Sequence, residues 1–268
     1  MKREPDWLRY IDNDAGRNPV LLVKGPSDEV ILNYFFNQHH PGWNLRLFIG
    51  QAGGKSEVIQ GLKHRPRWIG VVDRDEWSQA EVDKAQRQTP RLRALPRFCI
   101  ESFFCVPKEL WPALSAHYDA GRGDIERLKR PILDALPDWV AHGAMWRVLR
   151  VRAAGVRSRD VFPNALQDSP VTDENEIRRV LETWHLYLDP ENILEEYRAE
   201  KKRGLTLPVD EQLARYVVGN KFFKQVVAPT LDALFGAADK NWLERLRDGQ
   251  IQPPPDLTDS FNEILGLL

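Results

Sequence analysis

The chain has 268 residues, enough for one large domain or two modest ones with a substantial core. Hydrophobic residues make up 42%, charged residues 29%, and the formal net charge is -1, which is ordinary globular composition and excludes a histone-like polycation. No run of about eighteen apolar residues is present and the segment MKREPDWLRY lacks an apolar signal core, so a cytoplasmic protein with no membrane association is expected.

Residues 19–23 (PVLLV) form a short continuous apolar run, the pattern of a parallel strand buried on both faces. Ser27 can cap the helix that follows, with Asp28 and Glu29 in its first turn, where the helix dipole favours acids. Residues 45–49 (LRLFI) give a second strand, followed by a turn rich in glycine (Gly50, Gly53, Gly54) and a short helix from Ser56. Residues 68–72 (WIGVV) read as a third strand, 77–88 as a third helix and 95–100 as a fourth strand. Alternation with loops this short implies right-handed crossovers and a mainly parallel sheet. The predicted class is α/β, a mainly parallel sheet flanked by helices, over residues 1–107. Cys99 and Cys105 fall in its last apolar stretch and are too few for a disulfide framework or a zinc site, so core positions are expected.

Beyond residue 107 the pattern turns helical, over 110–119, 123–136, 174–188, 190–203, 210–218 and 222–235, with a last amphipathic piece at 257–268 after QPPP. Residues 145–151 (MWRVLRV) fit either a strand or a helix. Residues 108–268 are read as a mainly helical extension packed on the sheet and not as an independent catalytic module.

Four acids fall at one edge of the predicted sheet. Asp73 and Asp75 directly follow the third strand, and in extended backbone residues two apart face the same side. Asp28 lies just past the first strand and Glu101 just past the fourth, at the carboxyl edge where open α/β sheets bind ligands. Like charges 4 Å apart repel by about 4 kcal/mol at an effective dielectric near 20, so such a cluster calls for a hard cation or a proton. Oxygen ligands without a nearby thiolate suit Mg²⁺ or Mn²⁺ acting on a phosphate substrate. For an Asp-x-Asp pair alone, a helix-capping turn explains the residues as well.

Basic clusters occur at Lys63–His64–Arg65–Arg67, at Arg87, Arg91 and Arg93, from Arg147 to Arg159, and at Lys201–Lys202–Arg203, each a solvated face or a nucleic-acid contact. The turn IGQAGGKSEV approaches a Walker A loop, but the glycine required five positions before Gly54 is Ile49. His39 and His40 end a helix, an ordinary place for cations.

These elements resemble the Toprim family. LLVKGPSDEVILNYFF is similar to the first Toprim motif, VVDRDEW to its Asp-x-Asp motif, and IESFFCVP to the Glu-Asn-Tyr-Leu-Leu segment of the OLD-type branch. The Gly53–Gly54–Lys55 turn and VVGNKFFKQVV, similar to a Gly-Lys segment, suit the same branch. The likeness spans about residues 18 to 107 and a patch at 219 to 226. A chain of this shape without an ATPase of its own resembles the Toprim effector subunits of PARIS anti-phage systems. The resemblance implies an endonuclease that associates with an ABC-type ATPase, is released on sensing a phage protein, and cleaves tRNA; a homodimer is possible within it. It further implies that Asp73 and Asp75 hold Mg²⁺, that Asp28 and Glu101 complete one or two metal sites, and that Lys221 neutralises phosphate charge.

One position departs from the family pattern. Where the family carries a glutamate that serves as metal ligand and general acid or base, this chain has Lys24. An ammonium cannot ligate a cation and is no ready base near pH 7; it can instead take the metal's place and pair with Asp73 or Asp75. Either a natural pseudoenzyme or an introduced inactivating change explains it, the second being preferred. Glu29 is a poor substitute, since it points about 100° away from Asp28 around the helix.

Overall fold

The computed structural model describes residues 4–117, 124–157, 174–236, 242–248 and 252–268. Helix α1 (Asp6–Ala15) precedes an alternating series: β1 (Val20–Val23), α2 (Pro26–His39), β2 (Phe48–Gln51), α3 (Lys55–His64), β3 (Ile69–Val72), α4 (Gln79–Gln88) and β4 (Leu92–Ala94). The strands form a parallel sheet in the order β2-β1-β3-β4. The α/β class and the parallel sheet predicted from sequence are therefore present.

Pleating divides the sheet cleanly. Leu21, Val23, Ile69 and Val71 face Ile31, Leu32, Phe35 and Phe36 of α2, whereas Val20, Leu22 and Val72 face Leu8 and Ile11 of α1 and Val58 and Leu62 of α3. Every residue of β1 and β3 is buried, as an apolar strand covered on both faces must be. Gly70 lets α3 approach: a Cβ there would lie 2.7 Å from Val58. Helix α1 was not anticipated, although Leu8, Ile11 and Ala15 carry its buried face at helical spacing.

The fourth strand lies upstream of the predicted 95–100. Pro96 has no N–H for a ladder, so pairing ends at Ala94, and the apolar run continues into a 3₁₀ turn, Ile100–Phe104.

Next come α5 (Pro107–His117), α6 (Ile125–Arg157), α7 (Glu174–Tyr187), α8 (Pro190–Leu205), α9 (Val209–Arg215), α10 (Gly219–Phe222), a π turn (Phe223–Val227), α11 (Ala228–Phe235), α12 (Trp242–Asp248) and α13 (Pro255–Leu265). The segment 145–151 is helical. It belongs to α6, which runs 33 residues through Pro131 and Pro137. Leu128, Ile132, Leu136, Val140, Ala144 and Val148, four apart, are all buried along it. Five large side chains at about 1.5–3 kcal/mol each outweigh the ~3 kcal/mol cost of an interior proline. The helix expected at 222–235 is interrupted instead, because Pro229 cannot donate to the carbonyl four residues back and the turn before it widens.

The α2 face of the sheet shares one apolar core with α5, α6, the 3₁₀ turn and α9 to α13. Phe261 of α13 stacks on Phe36 at 4.4 Å, so the later helices sit on α2. No helix among the described residues is long and apolar enough to cross a membrane.

Candidate active site

The order β2-β1-β3-β4 puts a topological switch between β1 and β3. From β1 the chain moves outward to β2, then crosses back to β3, which leaves a crevice beyond the carboxyl ends of the two central strands. Lys24 leaves β1 into that crevice and Asp73 leaves β3 into it.

Asp73 is 1% exposed and both its oxygens are engaged. Oδ2 accepts from the Lys24 ammonium, and Oδ1 accepts from the Ile100 N–H at 3.1 Å. The second contact ties the strand end to the 3₁₀ turn that carries Glu101. Asp28 is buried in the first turn of α2, where Oδ2 accepts the Gly25 N–H at 2.9 Å. It thus helps close the N-terminus of α2, a task expected of Ser27, because the helix begins at Pro26 with Gly25 as its cap. Glu29 points away and accepts from Gln51.

Asp75 does not continue an extended strand. β3 ends at Val72, and Asp75 has φ 49°, a left-handed conformation that costs a non-glycine residue energy. Its N–H donates to the Phe98 carbonyl at 2.7 Å, which fixes the turn. The two aspartates therefore diverge: Asp73 meets Lys24, and Asp75 meets the Lys55 ammonium at 2.6 Å. Period-two geometry fails here because the bend begins within the motif.

The electrostatics still bind the group together. Burial alone would lower the Lys24 ammonium, but Asp73, with Asp28 and Asp75 behind it, holds its pKa above the ordinary lysine value. Burial pushes Asp73 up to about 7, opposed by Lys24 and reinforced by Asp28 and Asp75. Asp28 is raised as well, by burial first and also by Glu101, with Lys24 opposing. The structure thus puts Asp73 on the Lys24 ammonium, with Asp28 and Asp75 near enough for their charges to be felt there and Glu101 near enough to be felt at Asp28.

Lys221 lies on α10, which packs on the 3₁₀ turn. Gly219 packs so tightly on the 3₁₀ turn that a Cβ there would lie 2.3 Å from Ser102 Oγ, and its carbonyl is 3.7 Å from Cys105 Sγ. Lys221, two residues on, is exposed beside the Glu101 turn. Cys99 and Cys105 are buried free thiols, both pushed up by desolvation, in keeping with core positions.

The carboxylates as they stand do not fit a divalent cation. Lys24 Nζ is hydrogen-bonded to the oxygen of Asp73 that would ligate it, and among the described residues no three His, Cys, Asp or Glu side chains are grouped to hold a metal ion. Sequence reasoning singled out the Gly53–Gly54–Lys55 turn but gave Lys55 itself no role; it pairs with Asp75. That reasoning missed Arg97, which donates to Glu109, Asp256 and the Ser102 carbonyl and so braces the 3₁₀ turn. Much of the basic sequence is consumed internally: Arg65 pairs with Glu4 and Asp12, Arg150 with Glu81, and Arg152 with Glu196. Arg159 lies outside the described residues. No family model, no curated protein and no solved structure matches this chain.

Proposed function

We propose that this chain is a Toprim-type nuclease effector of an anti-phage defence system, made to cleave RNA, with tRNA as the substrate, after release from an ABC-type ATPase partner. In this reading it is silenced by Lys24 at the position of the family's catalytic glutamate. The observation that carries it is the buried Asp73 paired with Lys24 at the switch point of a parallel sheet, with Asp28 and Asp75 near enough for their charges to be felt. Acids from separate segments near one sheet edge repel one another, a cost that a ligand or a reaction would explain.

Under this reading Lys221 supplies positive charge to a bound phosphate, and Asp28 serves both helix and site. Mg²⁺ or Mn²⁺ belongs to the family's chemistry, but Lys24 stands on Asp73, so this sequence is not expected to cleave. Lys24→Glu removes the ammonium and supplies the missing carboxylate. The variant should gain Mg²⁺-dependent cleavage of tRNA on a denaturing gel, lost again in Lys24→Glu/Asp73→Asn. A Lys24→Glu protein that cuts no tRNA, other RNA or DNA with Mg²⁺ or Mn²⁺ present would refute the nuclease reading.

A second reading is a non-catalytic interaction subunit that signals to an ATPase through its helical half. The closed Lys24–Asp73 pair favours it, since a filled site needs no chemistry to account for it. Co-purification with an ATPase fits both readings, whereas cleavage by the glutamate variant fits only the first.

A further inference from the structure

The Asp-x-Asp pair is neutralised by two lysines. Lys24 enters from the end of β1 and engages Asp73; Lys55 enters from the first turn of α3 and engages Asp75 at 2.6 Å. Lys55 is no loose surface cation: its side chain is 19% exposed and its Nζ sits 4.1 Å from the centre of the Trp77 ring. The loops bearing the two lysines are joined through their backbones, because the Lys24 carbonyl accepts the Gly53 N–H at 2.9 Å and the Val23 carbonyl accepts the Ala52 N–H at 2.9 Å. Asp75 meets Lys55 only by holding the left-handed conformation at φ 49°.

We propose that Lys24 and Lys55 are resident counter-ions of this edge, one for each aspartate, so that the edge is complete without a divalent cation and takes one up more readily as each lysine is removed. The inference rests on reading this edge as the functional site, but it is decided by cation uptake and not by cleavage. A divalent ion entering beside Asp73 must displace the Lys24 ammonium and approach Lys55, and both contacts repel it. The arrangement also accounts for a buried Asp73 that remains paired without metal. It follows that Lys24→Glu alone leaves Asp75 committed to Lys55.

The test is Mn²⁺ uptake, followed by electron paramagnetic resonance of the free ion and by thermal denaturation with MnCl₂ or EDTA, on the full chain and on Lys24→Met, Lys55→Met and the double variant. Methionine keeps the length of the lysine stem and removes the charge. The unmodified chain should take up no Mn²⁺ at millimolar concentration, and EDTA should not shift its melting temperature. Each single variant should bind at least about ten-fold more tightly than the unmodified chain, and the double variant more tightly again, with a melting temperature that rises on adding MnCl₂. Circular dichroism establishes that each variant is folded. If loss of Lys24 prevents folding, Lys55→Met decides alone, since its carboxylate partner is the more exposed of the two: a gain in Mn²⁺ affinity supports the inference and no gain overturns it. Tight uptake by the unmodified chain, or none by a folded double variant, also overturns it. Failure here leaves the nuclease reading standing, and absence of cleavage by Lys24→Glu leaves the counter-ion inference standing.

Discussion

Two clusters of partly buried charge touch the same 3₁₀ turn, one through the Ser102 carbonyl and the other through the Ile100 N–H, and they are built on opposite principles. At Arg97 one guanidinium serves two carboxylates: Nε and Nη2 donate to Asp256 at 2.9 and 3.0 Å, and Nη1 and Nη2 donate to Glu109 at 2.7 and 2.8 Å. The remaining N–H reaches the Ser102 carbonyl at 3.4 Å, and the Phe103 ring lies 4.6 Å away. Every donor is used in fork geometry, which is what a buried charge needs to remain in a structure. At the sheet edge the arrangement differs. Two ammoniums face three carboxylates: Lys24 pairs with Asp73 and Lys55 with Asp75 in a strained turn, while Asp28 has a backbone N–H in place of a cation. The first cluster leaves no donor unused, whereas the second leaves Asp28 without a cation of its own.

Mutating each cluster sharpens the contrast. The largest effect on stability is expected at Arg97→Met. Removing one partner of a buried ion pair costs about 3–5 kcal/mol, and the partial exposure of Asp256 reduces this to about 3. Urea denaturation should show this loss, and a change below about 1 kcal/mol would mean that the cluster adds nothing.

Lys24→Met should cost less, about 2 kcal/mol at pH 8, because its side chain is 40% exposed. The cost should depend on pH. Asp73 has a folded-state pKa raised to about 7, so its contribution to stability declines as pH rises from about 4 to about 7, while the unfolded state ionises freely. Lys24 opposes that decline and stays protonated throughout the window. Without Lys24 the Asp73 pKa rises further, so the deficit of Lys24→Met relative to the parent should be small and flat below about pH 6, where Asp73 is protonated in both proteins, and grow as pH rises through about 7 to 9. A deficit that does not grow between about pH 6 and 9 would show that Asp73 is not the group that the lysine serves.

The smallest effect is expected at Asp75→Asn. Asparagine accepts the left-handed conformation, so only a partly exposed ion pair is lost, about 0.2–1 kcal/mol. A loss above about 2 kcal/mol would mean that Lys55 and Asp75 hold the loops together and do not merely balance charge.

Much of this was legible in the sequence where a short apolar run ended in an acid. β1 and β3 are continuous buried runs, so Asp73 and the Lys24 anomaly could be placed at once. Local pattern misled wherever a tertiary contact decided the backbone. Period-two alternation could not foresee that Phe98 would capture the Asp75 N–H and turn it left-handed. The apolar content of residues 95–100 suggested a strand, but Pro96 and the packing of Gly219 made a turn of it. The buried stripe that carries α6 through two prolines is visible in the sequence once its spacing of four is counted against them. Arg97 gave no signal, because both its carboxylates come from other helices and one of them is 159 residues away.

That last separation bears on how the protein is made. Arg97 braces the turn carrying Glu101, and one of its two anchors, Asp256, is translated long after the sheet. A nascent chain can fold its strands as they emerge, since domains form from the N-terminal side during synthesis. Its acidic rim nonetheless gains this last tether only when α13 leaves the ribosome and settles onto Phe36.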